Sequence, residues 1–186
     1  MTQTDDRRFP PGLAAAMAVR FAYEEGVGVD FEPFEGFRSA DETTDWLRAW
    51  TCNDGLTGDA FRVFGQDGTG GYAAFWLVRP GRPVVEQPVV FLGSEGETGV
   101  VARDLGAFLW LLAAGYGPWE AATSYEPGRA PSPHPELTAI AERFAQDRRA
   151  EASAVLEAAA AEFPDFDVCA RGMSNDGRVR GWPRCS

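Results

Sequence analysis

Apolar positions in residues 61–115 follow two different periods. Residues 61–64, 72–79, 88–92 and 98–102 are short aromatic and β-branched runs, separated by Gly-rich and Pro-rich clusters at 65–71, 80–83 and 93–97. Runs of that length between such clusters signal hairpins, because glycine supplies the positive φ of tight reversals. From Leu105 the spacing becomes helical, with Leu105, Phe108, Leu109 and Leu112 on one face, Asp104 as N-cap and Gly115 as stop. The pattern predicts a meander of strands closed by a buried helix. Residues 72–78 and 89–92 are apolar on both faces, so the sheet should be covered twice. The Leu105 helix and a helix at Ser39 are expected on one face, and a C-terminal helix or a partner on the other.

Upstream, residues 11–25 predict a helix with Leu13, Met17 and Phe21 on one face, ended by Gly26 and Gly28. Residues 29–37 are aromatic but irregular and predict a packed loop. Ser39-Ala40-Asp41-Glu42 forms a capping box that opens a helix carrying Trp46, Leu47 and Trp50, broken at Asn53-Asp54-Gly55. Downstream, Tyr116, Trp119 and Tyr125 predict an aromatic cap over a helix end, and the Pro-rich segment 126–135 has linker composition. Residues 136–163 predict one long helix with a charged middle at 147–151, stopped by Pro164. The tail to Ser186 has no pattern beyond a turn at Asn175-Asp176-Gly177. The expectation is an α+β protein: an antiparallel sheet of about four to six strands, N-terminal helices and a closing helix. It divides into a core at 1–125, a linker at 126–135, and a C-terminal helix and tail at 136–186 packed on the core.

Size and charge narrow the function. With 186 residues, 45% hydrophobic, the chain is one domain with a real core rather than a disordered segment. No secretory signal is visible, and the most apolar stretch, 105–114, is too short to span a membrane, so a soluble cytoplasmic protein is expected. The formal net charge of −11, with no basic run, argues against direct nucleic-acid binding and suits a basic partner. All 17 basic residues are arginine, which fits GC-rich coding as well as any selection for bidentate binding. Cys52, Cys169 and Cys185 make no disulfide framework, and reduced thiols are expected; a Cys169–Cys185 bridge is the alternative.

Candidate chemistry is sparse. The glycines of 66–71 precede a strand and lack the lysine of a phosphate loop, so they read as a reversal. Glu95 and Glu97, with Asp104 nearby, could act as acid and base only if their environments split their pKa values; on a solvated turn they are a charged loop tip. His134, the single histidine, has no partner at metal-ligand spacing. No cofactor and no metal are expected. Trp46, Trp50 and Trp119 are either exposed for a partner or part of the core.

The core wording resembles a known family. Phe64-Gly65-Gln66-Asp67-Gly68-Thr69-Gly70-Gly71-Tyr72-Ala73-Ala74-Phe75-Trp76, then 89–97, then Val100-Val101-Ala102-Arg103-Asp104-Leu105 with Phe108-Leu109, is similar to the SUKH superfamily of Smi/Knr-type proteins over roughly 39–122. The family's usual opening, a helix followed by Leu-Pro and a Tyr-containing helix, is missing, and the C-terminal helix lies outside the match. The resemblance implies an α+β fold and a non-enzymatic role, with bacterial members looking like immunity proteins that block a polymorphic toxin. It supplies no fixed catalytic residues.

The leading expectation is therefore an acidic, non-catalytic protein that occludes a toxin or another protein, using Asp67, Glu95, Glu97, Trp46, Trp50 and Trp119. A hydrolase or transferase using Glu95, Glu97 or Asp67 is the runner-up, and it requires a concave pocket. A homodimeric scaffold built on the helix from Glu136 is the third reading.

Overall fold

The computed structural model describes residues 7–24, 27–123 and 132–166. Tyr125 of the predicted aromatic cap, linker residues 126–131, the turn at Asn175, Cys169 and Cys185 lie outside the described residues.

The protein is α+β. Five antiparallel strands form one sheet in the order β3-β4-β5-β6-β7: β3 Glu32–Pro33, β4 Phe61–Gln66, β5 Tyr72–Trp76, β6 Val89–Leu92 and β7 Thr98–Ala102. The last four are the meander that the sequence predicts, although β5 stops at Trp76 rather than at Arg79. Residues 29–37, expected as a loop, supply β3, which pairs with the outer side of β4. Pro33 is tolerated there because an edge strand needs no second ladder donor.

Both faces of the sheet are buried. Phe64, Ala73, Phe75, Val89, Phe91, Val101 and Ala102 point to one side, and Phe61, Val63, Tyr72, Ala74, Trp76, Val90 and Leu92 to the other. Two bulges adjust this alternation. In β4 the register shifts between Val63 and Gly65, leaving Phe64 as the extra residue. Gly65 is required beside it, since a Cβ there would stand 2.3 Å from the Phe31 ring. In β7 the extra residue is Val101, which lets Val101 and Ala102 both enter the first core.

The first face is covered by α3 (Leu105–Ala113), with α1 (Pro11–Met17) and α5 (Pro135–Ala145) around it. Asp104 caps α3 through Ala107 N at 2.9 Å, and Gly115, at φ 88°, ends it, both as the spacing predicts. The Ser39 helix does not share that face. It is α2 (Ala40–Thr51), and its Leu47 lies in the opposite core, where Phe163 and Phe166 pack on Trp76. Helical periodicity says that a stripe is buried, not which side of a sheet buries it.

Two predicted helices are shorter than their patterns. The first ends at Met17, and Tyr23–Glu24 (β1) then pairs with Val27–Gly28 (β2) as a two-residue ribbon. Phe21 leaves the helical face to pack edge-on against Phe31. The expected long helix 136–163 is two helices, α5 and α6 (Ala152–Glu162), separated by a 3-10 turn at Gln146–Arg148. The buried indole of Trp110 donates to the carbonyl of Ala145 at 2.7 Å, at the point where α5 ends. The charged stretch then turns outward, and α6 runs beside β7 to bring Phe163 to the second face. The short α4 (Pro118–Ala122) packs on β6 and β7.

The capping box of α2 is complete. Ser39 Oγ accepts from Glu42 N at 3.2 Å, and Glu42 Oε2 accepts from Ser39 N at 2.9 Å. The Ser39 amide, then its hydroxyl, and to a lesser extent Arg38, hold the Glu42 carboxyl at about 2, down from 4.5. A carboxyl lowered on folding contributes stability above its unfolded pKa and loses it as pH falls through the folded value. Ser39→Ala is expected to cost about 1 kcal/mol. It should also reduce, without abolishing, the stability loss between pH 4.5 and 2 in acid titrations followed by circular dichroism, because alanine keeps the backbone amide that does most to lower the Glu42 carboxyl.

Candidate functional site

The meander brings its two glycine-rich reversals to the same end of the sheet. Gln66 pairs with Tyr72, Tyr72 with Leu92 and Leu92 with Thr98, so the loops 67–71 and 93–97 lie side by side. Ser94 Oγ donates to Thr69 Oγ1 at 2.9 Å across them. The bonding continues outward: Gly68 N donates to Asp30 Oδ1 at 3.0 Å, and Asp30 N donates to Glu120 Oε1 at 2.7 Å. Gln66 Nε2 donates to Glu32 Oε2 at 2.9 Å. Asp30, Glu32, Asp67, Glu95, Glu97 and Glu120 thus gather at one end of the sheet.

The opposite end is organised differently. There Arg79 pairs with Glu162, Arg82 with Glu86 at 3.2 Å, and Arg148 with Asp104 at 3.4 Å. Arg79 also donates to the carbonyls of Glu86 and Arg103, tying together the chain ends that leave β5 and β7. No ion pair among the described residues involves Asp30, Glu32, Asp67, Glu95 or Glu97. Among the described residues, then, Glu162, Glu86 and Asp104 are matched by arginines, whereas Asp30, Glu32, Asp67, Glu95 and Glu97 are not.

The predicted site residues take different places within this frame. Glu95 is exposed and Glu97 half-buried on the 93–97 turn. Asp67 is not on the surface: it is 3% exposed, and its Oδ1 accepts from Thr69 N, Thr69 Oγ1 and Gly71 N at 2.8 to 2.9 Å. It holds the reversal in shape rather than facing a partner. Trp46 and Trp50 are half-buried and form a row with Tyr72. The Trp50–Trp46 centroids are 5.1 Å apart and the Trp46–Tyr72 centroids 4.3 Å, with interplanar angles of 21° and 20°. Since Tyr72 follows the 67–71 loop directly, the row begins at the acidic end. Phe34 meets Tyr72 edge-on, with Arg38 above its ring. Burial pushes the Tyr72 phenol up, opposed by the charge of Arg38. Trp119 does not join the row; it packs against the α3 side of the core.

Asp30, Glu32, Glu120 and Tyr72 escape the sequence reading. Asp30 and Glu120 are 90 positions apart, so no local pattern links them, and Tyr72 reads only as a strand residue.

Two clefts are lined by none of these acids, although the smaller borders them through Thr98 and Ala121, the neighbours of Glu97 and Glu120. One of about 410 Å³ lies among α1, α3 and α5, lined by Leu105, Leu109, Phe144, Asp104 and Arg148. The other, about 210 Å³, lies between α4, α6 and β7. Neither is lined by Asp67, Glu95 or Glu97, and no group of three or more metal-ligating side chains occurs among the described residues. No helix among them is long and apolar enough to cross a membrane.

These features define the class as an α+β protein with a polarised acidic end. No protein-family model matches the chain, and no curated protein or solved structure matches it.

Proposed function

We propose that the chain is a non-catalytic binding protein that captures a basic protein partner on its acidic end and acts by occluding it. The observation that carries the reading is the set Asp30, Glu32, Glu95 and Glu97, gathered at one end of the sheet with no arginine partner among the described residues. Such a surface attracts and orients a cationic partner at long range and repels phosphate backbones. The SUKH-like wording of the core supports an immunity-like version, in which the partner is a toxin domain. The α+β fold agrees in class with what that resemblance implies. A hydrolase or transferase has less support, because Glu95 stands on a solvated turn and Asp67 is committed to backbone amides.

The test is co-expression with the product of the neighbouring gene, followed by stopped-flow association. An electrostatically captured partner should associate about tenfold more slowly at 0.5 M salt than at 0.02 M. An association rate indifferent to salt would remove the basis of the reading.

A further inference from the structure

The smaller cleft joins an apolar space to the edge of the acidic end. About 210 Å³ lies open among Val100, Ala122, Leu156, Ala160 and Phe163. Thr98, directly after Glu97, lines one part of it. Pro164 and Phe166 line another, with the exposed Asp165 between them in the chain. Neither Glu97 nor Asp165 takes part in an ion pair among the described residues. Phe166 is the last described residue and is buried against Trp76, so the chain leaves the body beside this cleft.

The sequence that follows has the complementary chemistry. Residues 178–186, Arg-Val-Arg-Gly-Trp-Pro-Arg-Cys-Ser, carry three arginines and no acid, in a chain of formal net charge −11. Their one aromatic side chain is Trp182, with Arg180 and Arg184 two positions to either side. Pro183 favours extended backbone at Trp182, and in an extended segment residues two apart share a face. An indole between two guanidiniums therefore matches an apolar cleft bordered by carboxylates. Fifteen residues separate Phe166 from Trp182, with a turn signal at Asn175-Asp176-Gly177 among them. A chain of that length bridges distances of the order of 20 Å, ample for a return to the cleft.

We infer that residues 178–186 are a tethered occupant of the acidic end, with Trp182 in the cleft and the arginines at its carboxylates, which a basic partner must displace. This rests on the proposed capture function and adds a regulation to it. Exposed ion pairs are individually weak, so burial of the indole supplies the larger share of the contact. Tethering raises the local concentration of the segment to about 1 mM. An intrinsic dissociation constant of about 0.1 mM then lowers the apparent affinity for a competing basic ligand about tenfold.

The experiment uses the full chain, with a hexa-arginine peptide as the probe and calorimetry at low salt as the first readout. Arg178→Gln/Arg180→Gln/Arg184→Gln should bind the peptide about five- to tenfold more tightly than the unaltered chain. Arg82→Gln/Arg143→Gln/Arg149→Gln has the same net charge and should change binding by less than about twofold. Trp182→Ala, which leaves the charge alone, should also tighten binding. The second readout needs no probe: the indole N–H signal of Trp182 in the nitrogen–proton correlation spectrum should move when Ala160→Leu fills the cleft. If the tail variants leave peptide affinity unchanged and Ala160→Leu leaves the Trp182 signal in place, the tethered occupant is wrong. Electrostatic capture still stands in that case if Glu95→Gln/Glu97→Gln, added to the triple tail variant, weakens the peptide. It falls if that addition has no effect. A Trp182 signal that shifts with protein concentration would assign the segment to a second copy and overturn the intramolecular contact.

Discussion

Phe64→Ala should lower the free energy of unfolding by about 3–5 kcal/mol, with Phe64→Leu costing about 1. Phe64 is the extra residue of the β4 bulge, fully buried, with ring centroids 5.4 Å from Phe75, 5.5 Å from Phe108 and 6.0 Å from Phe31. It therefore joins three elements: the central strand, α3, and the segment leading into edge strand β3. Truncation leaves a cavity among rigid rings, which collapse poorly. Leucine keeps most of the volume. Urea denaturation of the three proteins measures the difference. A loss near 1 kcal/mol for the alanine variant would mean that Phe64 does not sit between the sheet and α3.

Asp67→Ala should cost about 3 kcal/mol, since it leaves three donors without their acceptor, one of them the buried amide of Gly71. Asp67→Asn keeps the oxygen that accepts those bonds and should cost about 1 kcal/mol, chiefly from weaker bonds and from an NH₂ placed where Oδ2 is buried without a partner. The same pair separates a structural role from a binding role. Asp67→Asn should leave partner affinity within about twofold, because the side chain is buried and does not touch a partner. Thermal melts and binding isotherms on the two variants decide it.

Much of this architecture is legible in the sequence, for reasons that can be named. Pro88 opens β6 and the glycine turn 93–97 separates it from β7, and Ser39 and Glu42 cap α2 through purely local chemistry. The α5–α6 break is not legible. No glycine or proline marks it, and it depends on the indole of Trp110, 35 positions away, meeting the carbonyl of Ala145. The placement of α2 opposite α3 is equally hidden, since Leu47 reads as buried whichever face receives it. At the candidate site, Glu95 and Glu97 announce themselves as a turn, while Asp67 looks like a loop tip and is the keystone of its hairpin. Composition supplies the net charge, but only the register of the meander shows where it gathers.

The central claim is that location, rather than net charge alone, makes the acidic end the capture face. The direct measurement compares two double variants of identical net charge, Glu95→Gln/Glu97→Gln at that end and Glu142→Gln/Glu157→Gln on α5 and α6, by association rate with the basic partner at low salt. Polarised capture predicts that the first pair slows association about five- to tenfold and the second by less than about twofold. Equal slowing by the two pairs would contradict it, because the field would then belong to the whole surface and not to the end built by the two reversals.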